Sequence, residues 1–160
     1  MNLRPIGTIH SPHQQAAGTP VQSALAAGVR GNVEVFPEYV EGLCDLDGFE
    51  RIWLVYWFDR ARAAQMAVTP YLDRTPRGLF ATRAPCRPNP IGLSAVRLLG
   101  IVGSILEVDG LDILDNTPLL DLKPYIPEFD GFEAKRIGWC GDAQGRGGVA
   151  DSRFEAGGRG

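Results

Sequence analysis

The sequence predicts a mainly β fold: an antiparallel β-barrel that closes or nearly closes, with one or two short helices. Three observations lead there. Runs of β-branched and aromatic residues recur along the chain, and brief turns rich in Gly, Asn, Asp and Pro separate them. No long helical segments intervene to carry crossovers, so consecutive strands pair antiparallel, and closure disposes of their edges. The regular strand–helix alternation of a doubly wound α/β sheet is missing.

Taken in order, RPIGTI (4–9), VRGNVEVF (29–36) and ERIWLVYWF (50–58) read as strands. PEYVEGL (37–43) is the best short helix, because Pro37 suits a first helical turn, and residues 61–67 are a second helical candidate. The strongest strand signal follows the segment RAPCRPNPIGLS (83–94). LSAVRLLGIV (93–102) runs to a tight turn at Gly103-Ser104, and ILEVDG (105–110) returns. LDIL, the turn DNTP and LLDLKPYIP form a further pair. The last twenty residues are glycine-rich and nearly devoid of apolar side chains, which predicts a flexible tail unless something, such as a neighbouring subunit, holds it.

With 160 residues, 44% of them hydrophobic and 22% charged, the chain suits one soluble domain with a real core. No stretch approaches the roughly 20 apolar residues that span a bilayer. The opening MNLRPIGTIHSPH lacks a signal peptide's apolar run, so a cytoplasmic location is expected. Cys44, Cys86 and Cys140 are scattered without CxxC spacing, which argues for buried or idle thiols over a disulfide framework or a zinc site.

The net charge of −3 disfavours indiscriminate nucleic-acid binding, yet charge is unevenly spread. Residues 34–59 hold seven acidic side chains against Arg51 alone, whereas residues 60–97 hold seven arginines against Asp73 alone. Arginine outnumbers lysine fourteen to two, and its planar fork serves phosphate, carboxylate or stacking contacts. A genome rich in GC codons would also raise that ratio, but not its clustering.

Common catalytic signatures are absent. His10 and His13 are the two histidines, neither beside a nucleophile motif, and no HExxH, Walker loop or GxGxxG after a strand occurs. No metal site is expected. What remains is polar residues on stiff loops: Arg83, Arg87 and Asn89 on the Pro-rich segment, Asp112, Asp115, Asn116 and Thr117 at DILDNTP, and then Asp121, Lys123 and Tyr125. Proline fixes φ and so presents neighbouring groups in a preset geometry. Singly, such residues close turns or cover a barrel. Together, at one barrel end, they suggest a site for a polar, partly anionic small molecule.

The blocks RPIGTIHSP, GLCDLDGFERIWLVYWF, TRAPCRPNPIGLSAVRLL and DILDNTPLLDLKPY resemble the successive blocks of the TsaA-like (YaeB-like) family, over about residues 3–139. The resemblance implies a barrel domain over 1–140 followed by a tail over 141–160. It also implies binding of S-adenosylmethionine, a homodimer with cofactor near the subunit interface, and N6-methylation of threonylcarbamoylated adenosine at position 37 of tRNA. It assigns cofactor contacts to Pro20, Val21, Gln22, Asp59, Arg60, Arg83, Leu93, Ile113, Leu114, Asp115 and Asn116. Val21, Asp59-Arg60 and Ala84 differ from the residues usual at those places, and the additional C-terminal domain of better-known bacterial members is not expected here.

On that reading, Asn89 or Asp115 would orient the amine's lone pair as the catalytic group. Arg74, Arg77, Arg87, Lys123 and Tyr125 would face the tRNA anticodon loop. Two alternatives stay open: an S-adenosylmethionine-binding module without transfer, and a methyltransferase for a small molecule.

Overall fold

The computed structural model describes residues 2–141 and 148–156. Among these, the chain forms β1 (Gly7–His10), β2 (Arg30–Val35), β3 (Arg51–Trp57), β4 (Ala67–Val68), β5 (Arg77–Gly78), β6 (Ile91–Val102), β7 (Ile105–Asp109) and β8 (Thr117–Pro124). Six of them close a barrel in the order β1-β2-β7-β6-β3-β8, with every neighbouring pair antiparallel. Closure falls to β8, whose first residues pair with β1 and whose later ones pair with β3. β4 and β5 make a separate two-stranded sheet. A single-turn helix α1 (Pro127–Asp130) follows β8. No helix among the described residues is long and apolar enough to cross a membrane.

Period-two alternation decides what lies inside. On β3, Ile52, Leu54 and Tyr56 are buried and the residues between them are not. Gly92, Ser94, Val96 and Leu98 do the same on β6, as do Leu106 and Val108 on β7. With Ile9, Val33, Val35 and Leu119 the apolar side chains among them, Gly92 and Ser94 aside, form one core that also takes in Leu43, Leu46, Leu111 and Ile113. Each large aliphatic side chain so buried contributes about 1.5–3 kcal/mol. A satellite core of Val68, Leu79, Ala84, Cys86 and Phe154, with Tyr71 against it, lies beneath the Pro-rich segment.

Three elements depart from what the sequence suggests. PEYVEGL is helical but wound as a 3-10 helix over Pro37–Leu43. Residues 61–67 are not a helix: the amides of Arg62 and Gln65 donate to the carbonyls of Phe154 and Cys86, Ala61 bridges Glu155, and Ala67 enters β4. With those donors committed to distant segments, no i→i−4 ladder can form. LDIL is not a strand either, since Leu111 N–H donates to Val29 and Asp115 N–H to His13, both in loops.

The glycine-rich C-terminus also differs. Residues 148–156 dock on their own chain, through bridges from Val149 to Pro20 and from Glu155 to Ala61, and Phe154 is buried. The remainder of the expected tail, 142–147 and 157–160, lies outside the described residues.

Candidate functional site

The Pro-rich segment owes its shape to cross-bracing as well as to proline. Thr82 Oγ1 donates to the Leu79 carbonyl at 2.8 Å and accepts from Ala84 N–H at 3.3 Å. The Arg87 guanidinium donates to the carbonyls of Thr82 (3.0 Å) and Ala84 (3.4 Å) and lies 5.7 Å from the Phe80 ring centroid. Pro90 O accepts Phe58 N–H at 2.7 Å, which fixes the segment against the end of β3. Arg83 reaches the other way and donates to Gln22 Oε1 at 2.5 Å.

The last four residues of the segment, Ile91–Ser94, have a second task. Gly92 pairs with Tyr56 across β6 and β3, and the Tyr56 ring closely approaches it. A Cβ there would stand 2.2 Å from a ring carbon, so the site requires glycine for close approach rather than for a turn. Two residues on, the buried Ser94 donates to Asp112 Oδ1 at 2.7 Å. Its Oγ also lies 3.1 Å from Tyr56 Oη. Because the serine proton is given to the carboxylate, Tyr56 is the donor to Ser94, and a directed chain runs Tyr56→Ser94→Asp112. Burial raises the Tyr56 pKa far above its usual value, and the Asp112 charge adds to the shift. Burial likewise raises the Asp112 pKa, against the bonds from Ser94 and the Ser23 amide and the nearby Arg83 charge.

Tyr56 and Asp112 form part of the wall of a cavity of about 380 Å³ at this end of the barrel. That volume lies within the roughly 300–1,000 Å³ of small-molecule sites. Aromatic rings from Trp53, Tyr56, Phe58, Tyr71 and Phe154 face it. So do three carboxylates (Asp59, Asp112, Glu155) and three arginines (Arg60, Arg83, Arg87). Such walls suit a ligand with a flat apolar body and charged groups of both signs.

Of the eleven residues that the resemblance assigns to a cofactor, nine line this cavity: Pro20, Val21, Gln22, Asp59, Arg60, Arg83, Leu93, Ile113 and Leu114. Asp115 and Asn116 do not. The Asp115 carboxylate accepts from Ser11 N–H (3.1 Å), Gln14 Nε2 (3.2 Å) and Asn116 Nδ2 (2.8 Å). Desolvation alone would raise its pKa, but the Ser11 and Asn116 amides, Gln14 and His10 together hold it below the usual carboxylate range. The Arg60 guanidinium donates to its carbonyl, so Asp115 ties the loop over residues 11–14 to the cavity's Arg60. Asn116 occupies a left-handed turn at φ 59°, a conformation that asparagine tolerates.

Asn89 is exposed outside the cavity lining. Of the residues expected on the tRNA side, Arg87 lines the cavity and the other four do not. Arg77 is bound to Asp73 at 2.7 Å and lies 5.9 Å from the Trp139 ring centroid, Arg74 is exposed beside it, Lys123 pairs with Asp121 at 2.8 Å, and the Tyr125 ring packs on Trp53. Sequence reasoning missed Tyr56, Ser94, Phe154 and Glu155. Alternation on β3, which puts Tyr56 inside with Ile52 and Leu54, was the available signal for the first. A lone phenylalanine in a glycine-rich tail was the signal for the third.

Comparison with known proteins identifies the family. Residues 8–131 match the family described as the tRNA-methyltransferase O N-terminal domain. A protein of Pyrococcus abyssi, named a probable S-adenosyl-L-methionine-binding protein, is 54% identical over 136 residues, covering 85% of this chain and 74% of its own. The tRNA (adenine(37)-N6)-methyltransferase of Escherichia coli is 34% identical over 132 residues, covering 76% of this chain and 56% of its own. A crystal structure of TrmO from Pseudomonas aeruginosa superposes with a TM-score of 0.73 at 38% identity, over 87% of this chain and 62% of that one. This chain thus spans 56% and 62% of the lengths of these two bacterial proteins. On the barrel, the cavity and these likenesses together, the chain belongs to the tRNA-methyltransferase O N-terminal domain family.

Proposed function

We propose that the chain binds S-adenosylmethionine in the cavity at the barrel end and transfers its methyl group to N6 of threonylcarbamoylated adenosine at position 37 of tRNA. The observation that carries this reading is convergence. Residues 20–22, 59–60, Arg83, Arg87, 91–93 and 113–114 come from separate stretches of sequence yet meet around one cavity of mixed aromatic, acidic and basic character. Tyr56 and Phe58, in edge contact at 5.1 Å, offer a surface for the adenine ring. Arg83 and Arg60 answer a carboxylate, while Asp59 and Glu155 answer an ammonium group.

When bound, S-adenosylmethionine supplies a methyl group on a positively charged sulfur. The residues of this chain orient the partners, exclude water and receive a proton. Alignment of two reactants in one site accounts for roughly 7–11 kcal/mol of barrier lowering. Asp112 is the group we assign to the proton that leaves the target nitrogen. It lines the cavity, and its raised pKa makes it a stronger base than an ordinary aspartate. Ser94, itself held by Tyr56, fixes the carboxylate's direction. Asn89 and Asp115 take supporting places: Asn89 is exposed between the cavity-lining Arg87 and Ile91, and Asp115 stands behind Arg60.

For the tRNA, Arg74 and Arg87 are the proposed phosphate contacts, with Arg77, Lys123 and Tyr125 around them. An anticodon-loop base is already single-stranded, so presenting it to the cavity costs little. A homodimer fits the same site. Ile91 and Leu93, 40% and 55% exposed, are apolar side chains on the cavity's rim, and a second copy would cover them. The name of the Pyrococcus abyssi relative favours a second reading, binding of S-adenosylmethionine without transfer. Radiolabelled methyl transfer to tRNA that carries the threonylcarbamoyl group tests both. Label in tRNA supports the enzyme, and none despite cofactor binding supports the binding module.

A further inference from the structure

We infer that residues 148–156, beyond the stretch that matches the family, are a positioning wall of the ligand cavity, which a seated ligand tightens. The inference rests on the reading that the cavity binds S-adenosylmethionine. Ala150, Phe154 and Glu155 line that cavity. What makes the segment more than a lining is where its hydrogen bonds go.

On one side it grips residues 16–21. Ala150 N–H donates to Thr19 O at 2.7 Å, Gly18 N–H to Ala150 O at 2.9 Å, and Val21 N–H to Gly148 O at 3.2 Å. Ala16 N–H donates to Glu155 Oε1 at 2.6 Å. On the other side it grips residues 60–62. Arg62 N–H donates to Phe154 O at 3.1 Å, Arg62 Nε to Glu155 O at 2.8 Å, and Ala156 N–H to Arg60 O at 3.0 Å. Pro20–Gln22 and Asp59-Arg60 are two of the segments proposed to hold the cofactor. Among the described residues no strand pairing joins them. The Arg60 guanidinium reaches the Gln14 carbonyl at 3.4 Å, and the C-terminal segment adds the backbone link between residues 16–21 and 60–62.

Two anchors seat the segment without entering the barrel. Phe154 packs into the satellite core, 5.0 Å from the Tyr71 ring. Arg153 does not line the cavity. Its guanidinium donates to the carbonyls of Thr69 (3.2 Å) and Pro70 (3.1 Å), lies 5.3 Å from the Tyr71 ring centroid, and pairs with Asp151 at 2.6 Å. A ligand that touches Gln22, Arg60 and Glu155 at once therefore stabilises the docked segment. By linkage, undocking the segment weakens the ligand by the same factor.

The test uses the full chain and S-adenosylmethionine itself, with binding followed by calorimetry and docking by hydrogen exchange. In the wild-type chain, saturating ligand should slow exchange of the amides of Gly18, Arg62, Ala150 and Ala156 at least fivefold. Arg153→Ala and Phe154→Ala should speed exchange at those amides, leave the amides of β3 and β6 protected, and weaken ligand binding at least tenfold. Ligand binding that leaves exchange over 148–156 unchanged overturns the inference, as does wild-type affinity in a variant whose segment exchanges freely. If the wild-type chain binds no S-adenosylmethionine, the cofactor reading itself falls, an outcome separate from these two.

Discussion

Replacing Gly92 by alanine would put a methyl carbon where the Tyr56 ring now lies. The added Cβ would stand 2.2, 2.3 and 2.7 Å from three ring carbons, against the roughly 3.5–4.0 Å of an ordinary carbon–carbon contact. The ring must therefore retreat by more than an ångström, in an interior packed as densely as an organic crystal. Overpacking of this kind costs typically about 1–3 kcal/mol. Retreat also takes the hydroxyl out of reach of Ser94, and a buried hydroxyl left unpaired costs about 1–3 kcal/mol. One movement produces both effects, so the expected loss is about 2–4 kcal/mol rather than their full sum. At roughly 2–4 °C per kcal/mol for a chain of this size, the unfolding midpoint should drop by about 5–15 °C. Urea unfolding followed by tryptophan fluorescence measures the loss. Repeating it in a Tyr56→Leu background, where the ring is gone, should shrink the cost of Gly92→Ala. A Gly92→Ala chain within about 0.5 kcal/mol of wild type would refute the close approach as the reason for glycine.

Arg83→Ala should weaken S-adenosylmethionine binding about tenfold to a hundredfold, the loss of one charged hydrogen bond at about 1.5–3 kcal/mol, as calorimetry would read it. Arg74→Glu should leave that affinity unchanged, impair tRNA methylation, and flatten the log–log salt dependence of tRNA binding by about 0.7 for each phosphate that is no longer neutralised. Arg74 is a cleaner probe than Arg77, whose bond to Asp73 any substitution also breaks. Asp115, whose folded-state pKa is depressed, contributes stability that is present above the usual carboxylate range and lost as pH falls through its lowered value. Asp115→Asn should therefore be less stable than wild type at pH 7, and the difference should vanish towards acid in thermal melts across pH. Asp112 has the opposite sign: its raised pKa means that ionising it costs stability as pH rises from the usual carboxylate range, and methyl transfer should rise over that same interval as the base deprotonates.

Local periodicity made most of the barrel legible. The alternation in ERIWLVYWF and the hairpin at Gly103-Ser104 appear as β3, β6 and β7. What stayed hidden was set by distant partners. Residues 61–67 have helical composition, but Phe154 and Cys86 take their amides into other pairings. The glycine-rich C-terminus looks unable to bury anything, yet one side chain, Phe154, fills a small core that residues 68–86 leave open. The site divides the same way. The stiff loop brought Arg83 to attention and resemblance added Leu93 and Ile113, and all three line the cavity. Composition could not say which aspartate of DILD turns inward. The answer depends on Ser94, eighteen residues away, which receives Tyr56 and passes the hydrogen bond to Asp112.

The proposed function depends on the cavity at the barrel end taking S-adenosylmethionine. Calorimetric titration of the full wild-type chain, beside Arg83→Ala and Gly92→Ala, tests this most directly. The expected result is saturable binding with one ligand per chain, weakened in both variants and displaced by S-adenosylhomocysteine. Absence of binding by a folded wild-type chain, or binding that neither variant alters, would contradict it.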